Sequence, residues 1–375
     1  MMDRIRQITK LGQALWLDFI SRDLLRSGRL GALIEEGLTG VTSNPTIVQK
    51  VVAGGDEYDE QIRGLVRSGK STSEIYEAIA FQDIADTADA LRPVHNETHG
   101  RDGFVSIEVN PALAHDTERT IAEGRRIFQT ITRPNVMIKV PATEAGIPAI
   151  AALIGEGINV NVTLIFALSR YEKVMGAYAE GLRTLHASGR PLGLVSSVAS
   201  FFVSRVDGVV DRQLRERIDA GEHELEGLVG QAAIANAKVA YAAFKAFIES
   251  DAFADLRSWG ARVQRPLWAS TSAKDPKYSA TKYIDGLIGP NTVNTIPPAT
   301  LDAVREQGLA AQTIEQDVDR ARATLDQLRS VGIDLDAVTD QLLTDGVQLF
   351  ADSFDQLQAD IEARRAALAQ PSDAN

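Results

Sequence analysis

The chain of 375 residues contains no cysteine. That absence excludes a disulfide framework, a thiolate nucleophile, an iron–sulfur cluster and cysteine-ligated zinc. Histidine is scarce, with five in the chain, so neither a metal centre nor a metal cofactor is expected. No run of about 18 apolar residues occurs, so no transmembrane helix is expected. The N-terminal segment MMDRIRQITKLGQALWLDF lacks a long apolar core and a small-residue cleavage site. It does not read as a secretory signal, and a cytoplasmic protein is the expectation. A basic excess is missing too: the formal net charge is −12, which argues against a nucleic-acid partner. An anionic small substrate remains compatible, because a few local cations can hold one against the global field.

What is present is ordinary globular material, 44% apolar and 24% charged. At about 150 residues per domain the length allows two domains, but α/β barrels of roughly 250–400 residues fold as one. No low-complexity linker or composition shift divides the chain. Short strands rich in β-branched residues, bounded by Gly, Pro, Asn or Asp, are expected at 14–20, 40–44, 103–110, 135–141, 158–165, 193–200, 266–271 and 291–296. Helical patterns lie between them, as in SEIYEAIAFQDIADTADAL, YEKVMGAYAEGLRTLHA and QAAIANAKVAYAAFKAFI. Eight such units predict a single-domain (β/α)8 TIM barrel with additional helices; a doubly wound sheet is the alternative. Near the C-terminus, Leu343, Val347, Phe350, Phe354, Leu357 and Ile361 form one apolar stripe at helical spacing. A helix packing on the barrel is the first reading and a coiled-coil dimer seam the second. The chain is expected to be a monomer or homodimer, with a frayed tail at 369–375.

Some motifs are decoys. Gly64 to Ser71 matches G-x4-G-K-S, but the charged, helical DEYDEQIR precedes it where a phosphate-binding loop needs a buried strand. The stretch from His95 to His99 resembles a metal-binding helix, yet Glu97 is misplaced for H-E-x-x-H, and Gly100 and Asp102 suggest a polar loop. The glycosylation sequons at Asn96 and Asn161 carry no meaning without secretion.

The informative feature is charge at strand ends. Asp18 closes ALWLD, Glu108 lies near the end of GFVSIEVN and Lys139 near the end of NVMIKVP. An ionised group on a central strand is costly unless paired or functional. Alternation puts Lys139 on the face of Met137, Glu108 on that of Ser106 and Asp18 on that of Trp16. In a barrel, charges at the carboxyl ends of inward faces meet at the mouth, where barrel enzymes keep their active sites. A buried salt-bridge network is the alternative for any one of them. All three, beside polar Asn44, Asn161, Thr163 and Ser200, point to a site that holds hydroxyl groups. Desolvation disfavours the ammonium form of a lysine in such a pocket, and a neutral amine can attack a carbonyl to form a Schiff base. Two carboxylates supply general acid/base catalysis. The residues alone thus suggest a lysine-dependent aldol-type reaction with no cofactor.

Over nearly its whole length the chain resembles transaldolases, in particular the bacterial subgroup of about this length. The segments are WLDFISRDLL (16–25), GLTGVTSNPTI (37–47), SIEVNP (106–111), MIKVPAT (137–143), GINVNVTLIF (157–166), SSVASFFVSRVD (196–207) and WASTSAKDP (268–276). GVTSNP and IKVPAT in this order are the specific pair. The resemblance implies a Schiff-base lysine at Lys139, a general acid/base at Asp18, a glutamate acting through water at Glu108, and Thr163 positioning that water. It implies that Asn44, Asn161 and Ser200 hold the dihydroxyacetone hydroxyls, that Phe202 lines the pocket, and that Arg205 and Ser270 bind phosphate; Thr42 is expected among the substrate-binding residues. One departure stands out: where the family pattern has a second arginine soon after Ser270, this chain has Lys274, a point charge in place of a fork. The implied activity belongs to the non-oxidative pentose phosphate pathway. A dihydroxyacetone unit passes from sedoheptulose 7-phosphate or fructose 6-phosphate to glyceraldehyde 3-phosphate or erythrose 4-phosphate. The rival is a fructose-6-phosphate aldolase-like lyase; that group is shorter, with glutamine at the Glu108 position and tyrosine at the Phe202 position.

Overall fold

A computed structural model describes residues 4–369. Eight parallel strands close into a barrel in chain order. They are β1 (Gln13–Leu17), β2 (Gly40–Thr42), β3 (Phe104–Glu108), β4 (Val136–Pro141), β5 (Val160–Ile165), β6 (Ser197–Phe202), β7 (Arg265–Ala269) and β8 (Thr292–Ile296). Every strand residue is buried, as expected when helices cover the outside and side chains fill the inside. Seven of the expected strands appear within a few residues of their predicted bounds. The sixth begins four residues late. Leu192–Leu194 makes a short 3-10 turn instead, and the strand runs on through Phe201 and Phe202. The Asn159 side chain accepts from the Ser196 N–H at 2.9 Å and sets where the ladder starts.

The amino-terminal end of the barrel is plugged by a polar group. The Trp16 indole N–H donates to Asp102 at 2.8 Å, and Arg265 pairs with the same carboxylate at 3.3 Å. A Cβ on Gly40 would stand 2.5 Å from that indole, so β2 needs glycine there. His95 lies inside the helix Thr72–Glu97 and not in a polar loop; the helix continues past Pro93 and turns only at Thr98. The His95 ring packs edge-on against Phe104 at 5.3 Å, and among the described residues no group of metal-ligating side chains forms. Gly64 lies in the helix Asp59–Arg67 and Ser71 caps the next helix, with Lys70 paired to Glu74 at 2.8 Å. No strand leads into this segment, so it lacks the frame of a phosphate-binding loop. Among the described residues no helix is long and apolar enough to cross a membrane.

Between β2 and β3 the chain inserts three helices, Pro45–Gly54, Asp59–Arg67 and Thr72–Glu97. The C-terminal helix Leu335–Ala369 covers both this insertion and the barrel. Its stripe is divided between them. Leu343, Val347 and Phe350 join the barrel core, whereas Leu357 and Ile361 join Val52, Tyr58, Ile62, Ile75 and Ile79 in a separate cluster. The stripe is therefore packed within the chain, with Phe350, Leu357 and Ile361 buried and Leu343, Val347 and Phe354 partly so, as a helix lying on the barrel requires. Of the predicted frayed tail at 369–375, Ala369 ends the helix and the remainder lies outside the described residues.

The insertion is locked to the barrel by buried charge. Arg22 donates to Asp83 from Nε and Nη2 at 3.0 and 2.8 Å, and the Tyr58 hydroxyl donates to the same carboxylate at 2.8 Å. Removing one partner of a buried pair leaves the other desolvated and uncompensated. Arg22→Ala should therefore lower unfolding free energy by about 3–5 kcal/mol, read as a lower urea midpoint at unchanged slope. A loss below about 1 kcal/mol would mean that the pair behaves like a surface one.

Candidate active site

At the carboxyl end of the barrel lies a cavity of about 290 Å³. It is walled by Asp18, Thr42, Asn44, Lys139, Thr163, Ser200, Phe202, Arg205, Ser270 and Lys274, all singled out in the sequence. Two other candidates, Glu108 and Asn161, do not line it. Glu108, Lys139 and Asn161 are register partners along β3, β4 and β5, so they share one inward row. Their reach differs. The lysine's four-carbon stem carries Nζ up to the cavity, while the Asn161 amide stays in the interior. There Asn161 donates to Ser106 Oγ at 3.0 Å and accepts from Ser200 Oγ at 2.7 Å. Glu108 borders a separate, small cavity of about 20 Å³ shared with Ser43, Asn44, Tyr76 and Asp83, room for about one water.

Lys139 is 5% exposed. Its Nζ lies 3.1 Å from Glu108 Oε2, donates to the Ser43 carbonyl at 3.3 Å, and stands 5.1 Å from the centre of the Phe350 ring. Asp18 follows β1, and its N–H extends the ladder to Ile296 at 2.9 Å. Its Oδ1 accepts from the Thr42 hydroxyl at 2.8 Å, which lies 2.6 Å from the Thr295 hydroxyl. Thr42 thus orients Asp18. Burial pushes the Asp18 carboxyl above its ordinary value, with Lys139, Thr42 and Lys274 opposing. Burial likewise pushes Glu108 up; Lys139 opposes the shift and the negative charge of Asp18 adds to it. Two carboxyls around one amine, both raised above their ordinary values, are suited to acid/base work.

Local strain aims two further groups. Leu164 takes a left-handed φ of 59° within β5, where the register with β6 shifts between Val162 and Ile165. Such a bulge re-aims a strand beside a site. Next to it, the buried Thr163 hydroxyl has no partner among the described residues. Ser270, past the end of β7, has φ 54° and its Oγ lies 3.0 Å from Ser204 Oγ. Asn44 caps the helix Pro45–Gly54, its side chain accepting from the Ile47 N–H.

Arg205 opens the helix Ser204–Asp219 and lies over the Phe202 ring, 5.5 Å from its centre. It does not pair with Asp207, which instead accepts from Ala233 N–H, Lys282 and Tyr283. Burial lowers the Arg205 pKa while Asp345 opposes. Lys274 and Lys50 line the same cavity. Lys50, Ser272, Thr295 and Phe350, which also line it, were not picked out as site residues in the sequence. Lys50 follows Asn44 by six residues on a helix whose orientation only the fold defines. Phe350 sits in a stripe indistinguishable from core.

The family described as Transaldolase/Fructose-6-phosphate aldolase matches residues 15–361. A protein of Nostoc sp. named Transaldolase 2 is 45% identical, covering 97% of this chain and 98% of its own. The transaldolase of Thermobifida fusca is 49% identical over 94% of this chain and 96% of its own. Transaldolase 2 of Streptomyces coelicolor is 46% identical over 98% and 99%. The matched span runs from β1 to the C-terminal helix and takes in every wall of the cavity, so the chain belongs to the transaldolase/fructose-6-phosphate aldolase family.

Proposed function

We propose that this chain is a transaldolase working through a Schiff base on Lys139. The observation that carries the reading is one buried lysine, 3.1 Å from a buried glutamate, in a cavity that also presents Asp18 and the cations Arg205 and Lys274. Lys139 attacks C2 of fructose 6-phosphate or sedoheptulose 7-phosphate. Glu108, through water, assists loss of water from the carbinolamine, and the Thr163 hydroxyl helps hold that water. Asp18 takes the C4 hydroxyl proton, the C3–C4 bond breaks, and an aldose phosphate leaves. The enamine left on Lys139 then attacks glyceraldehyde 3-phosphate or erythrose 4-phosphate. Asn44 and Ser200 bind the dihydroxyacetone hydroxyls, and Asn161 fixes Ser200 from below. The enzyme acts as one domain, as a monomer or homodimer, in the cytoplasmic pentose phosphate pathway.

The test supplies fructose 6-phosphate with erythrose 4-phosphate. Sedoheptulose 7-phosphate and glyceraldehyde 3-phosphate are expected, with little free dihydroxyacetone. Dihydroxyacetone released in step with turnover would favour the aldolase reading.

Phosphate recognition makes a separate prediction. The chain is acidic overall, so local cations must reverse the field for a dianion. Arg205→Ala should raise KM for fructose 6-phosphate by one to two orders of magnitude, about 1.5–3 kcal/mol for a charge-assisted contact. Lys274→Ala should act in the same direction but less, because an ammonium offers no fork. Equal weakening of phosphorylated and unphosphorylated fructose would remove Arg205 from the phosphate site.

A further inference from the structure

The enamine proposed above must outlive the departure of the first product. A cavity of about 290 Å³ has room for several waters once the aldose phosphate has gone. The strands that build its floor bring mainly polar groups, with Phe202 and Ala269 the apolar exceptions. A further apolar wall comes from the C-terminal helix, through Leu349 and Phe350. Phe350, 5% exposed, reaches the cavity from the C-terminal helix and sets its ring 5.1 Å from Lys139 Nζ.

That helix is held firmly over the mouth. The Thr46 hydroxyl donates to Ser353 at 2.7 Å, Gln49 to Asp360 at 2.7 Å, and Arg364 pairs with Asp59 at 2.8 Å. Gly346, one turn before Phe350, lets the helix settle on the bulged strand, since a Cβ there would stand 2.8 Å from Leu164 Cδ2. The ring is thus fixed against the nucleophile by contacts on both sides.

We propose that Phe350 is a specificity-determining residue that shields the Lys139 adduct from water and so makes the enzyme a transferase. The inference rests on the Schiff-base reading above. Loss of the enamine requires a proton added at C3 and water added at C2 of the resulting Schiff base. The C2–N bond then breaks, giving free dihydroxyacetone and the lysine amine, with one water consumed. An aromatic face beside Nζ excludes water from C2, which is how closed sites prevent hydrolysis of reactive intermediates.

The experiment measures free dihydroxyacetone against transfer product, with fructose 6-phosphate and erythrose 4-phosphate, for wild type, F350L and F350A. The ratio should rise about threefold in F350L and tenfold or more in F350A, tenfold being ~1.4 kcal/mol. Parallel falls in both products at a constant ratio would overturn the proposal and leave Phe350 a packing residue. If F350A does not fold, F350L decides: a ratio equal to wild type overturns it. Borohydride trapping of the wild type separates the two readings. No adduct removes the Schiff-base mechanism and this inference together; an adduct with a flat ratio removes this inference alone.

Discussion

Lys139→Met should bind fructose 6-phosphate yet form no borohydride-trappable adduct, and turnover should fall by about four orders of magnitude or more, the scale of losing a covalent catalyst's nucleophile. The geometry leaves no substitute. Lys274 and Lys50 share the cavity, but Lys139 is the one set beside Glu108 at 3.1 Å. The thioether keeps the unbranched shape of the lysine stem, so packing along β4 survives. Its cost is electrostatic. Glu108 loses the charge that opposes its burial, so its carboxyl rises further. The variant should therefore be destabilised most at neutral and higher pH, where Glu108 must stay ionised without a partner, and least at acid pH. An adduct mapped by mass spectrometry to another lysine would refute the assignment.

The two carboxylates should fail differently, each by about 10²–10⁴-fold. Glu108→Gln should slow adduct formation, because water is less well activated. Asp18→Asn should still form the adduct but cleave C3–C4 poorly, so that the Schiff base accumulates. The pH profile adds a second readout. Burial holds both groups above their ordinary values of 3.8 and 4.5. Activity that needs the ionised form is present above the raised value and lost as pH falls through it, so the acid limb should lie above the usual carboxylate range. The negative charge of Asp18 is one of the causes that raise Glu108. Removing it in Asp18→Asn should shift the acid limb of adduct formation to lower pH. Single-turnover trapping across pH measures both effects. Identical adduct kinetics in the two variants would contradict the division of labour.

Much of this was legible in the sequence because the barrel repeats one local rule. Each strand is short, apolar and β-branched, and each is cut off by turn residues, so eight units could be counted without knowing their arrangement. Charges that interrupt apolar strands are costly, so Asp18, Glu108 and Lys139 stood out. The errors were local contests between neighbours. Gly193 and Leu194 look like strand but make a 3-10 turn, because the Asn159 side chain takes the Ser196 N–H. His95 to Gly100 looks like a loop, but helical geometry persists to Glu97.

What the sequence by itself determined is the set of inward chemical groups and their place along each strand, since alternation is a property of the backbone alone. What only the tertiary structure decided is depth and company. Asn161 and Lys139 share one row, yet the short amide stays buried between Ser106 and Ser200 while the long amine reaches the cavity. Thr42 became the partner of Asp18, and Glu108 came to border a different cavity from Asp18. Phe350 arrives beside a lysine more than two hundred positions earlier in the chain. Helical periodicity specifies which face of a helix is apolar; it carries no information on what that face will cover.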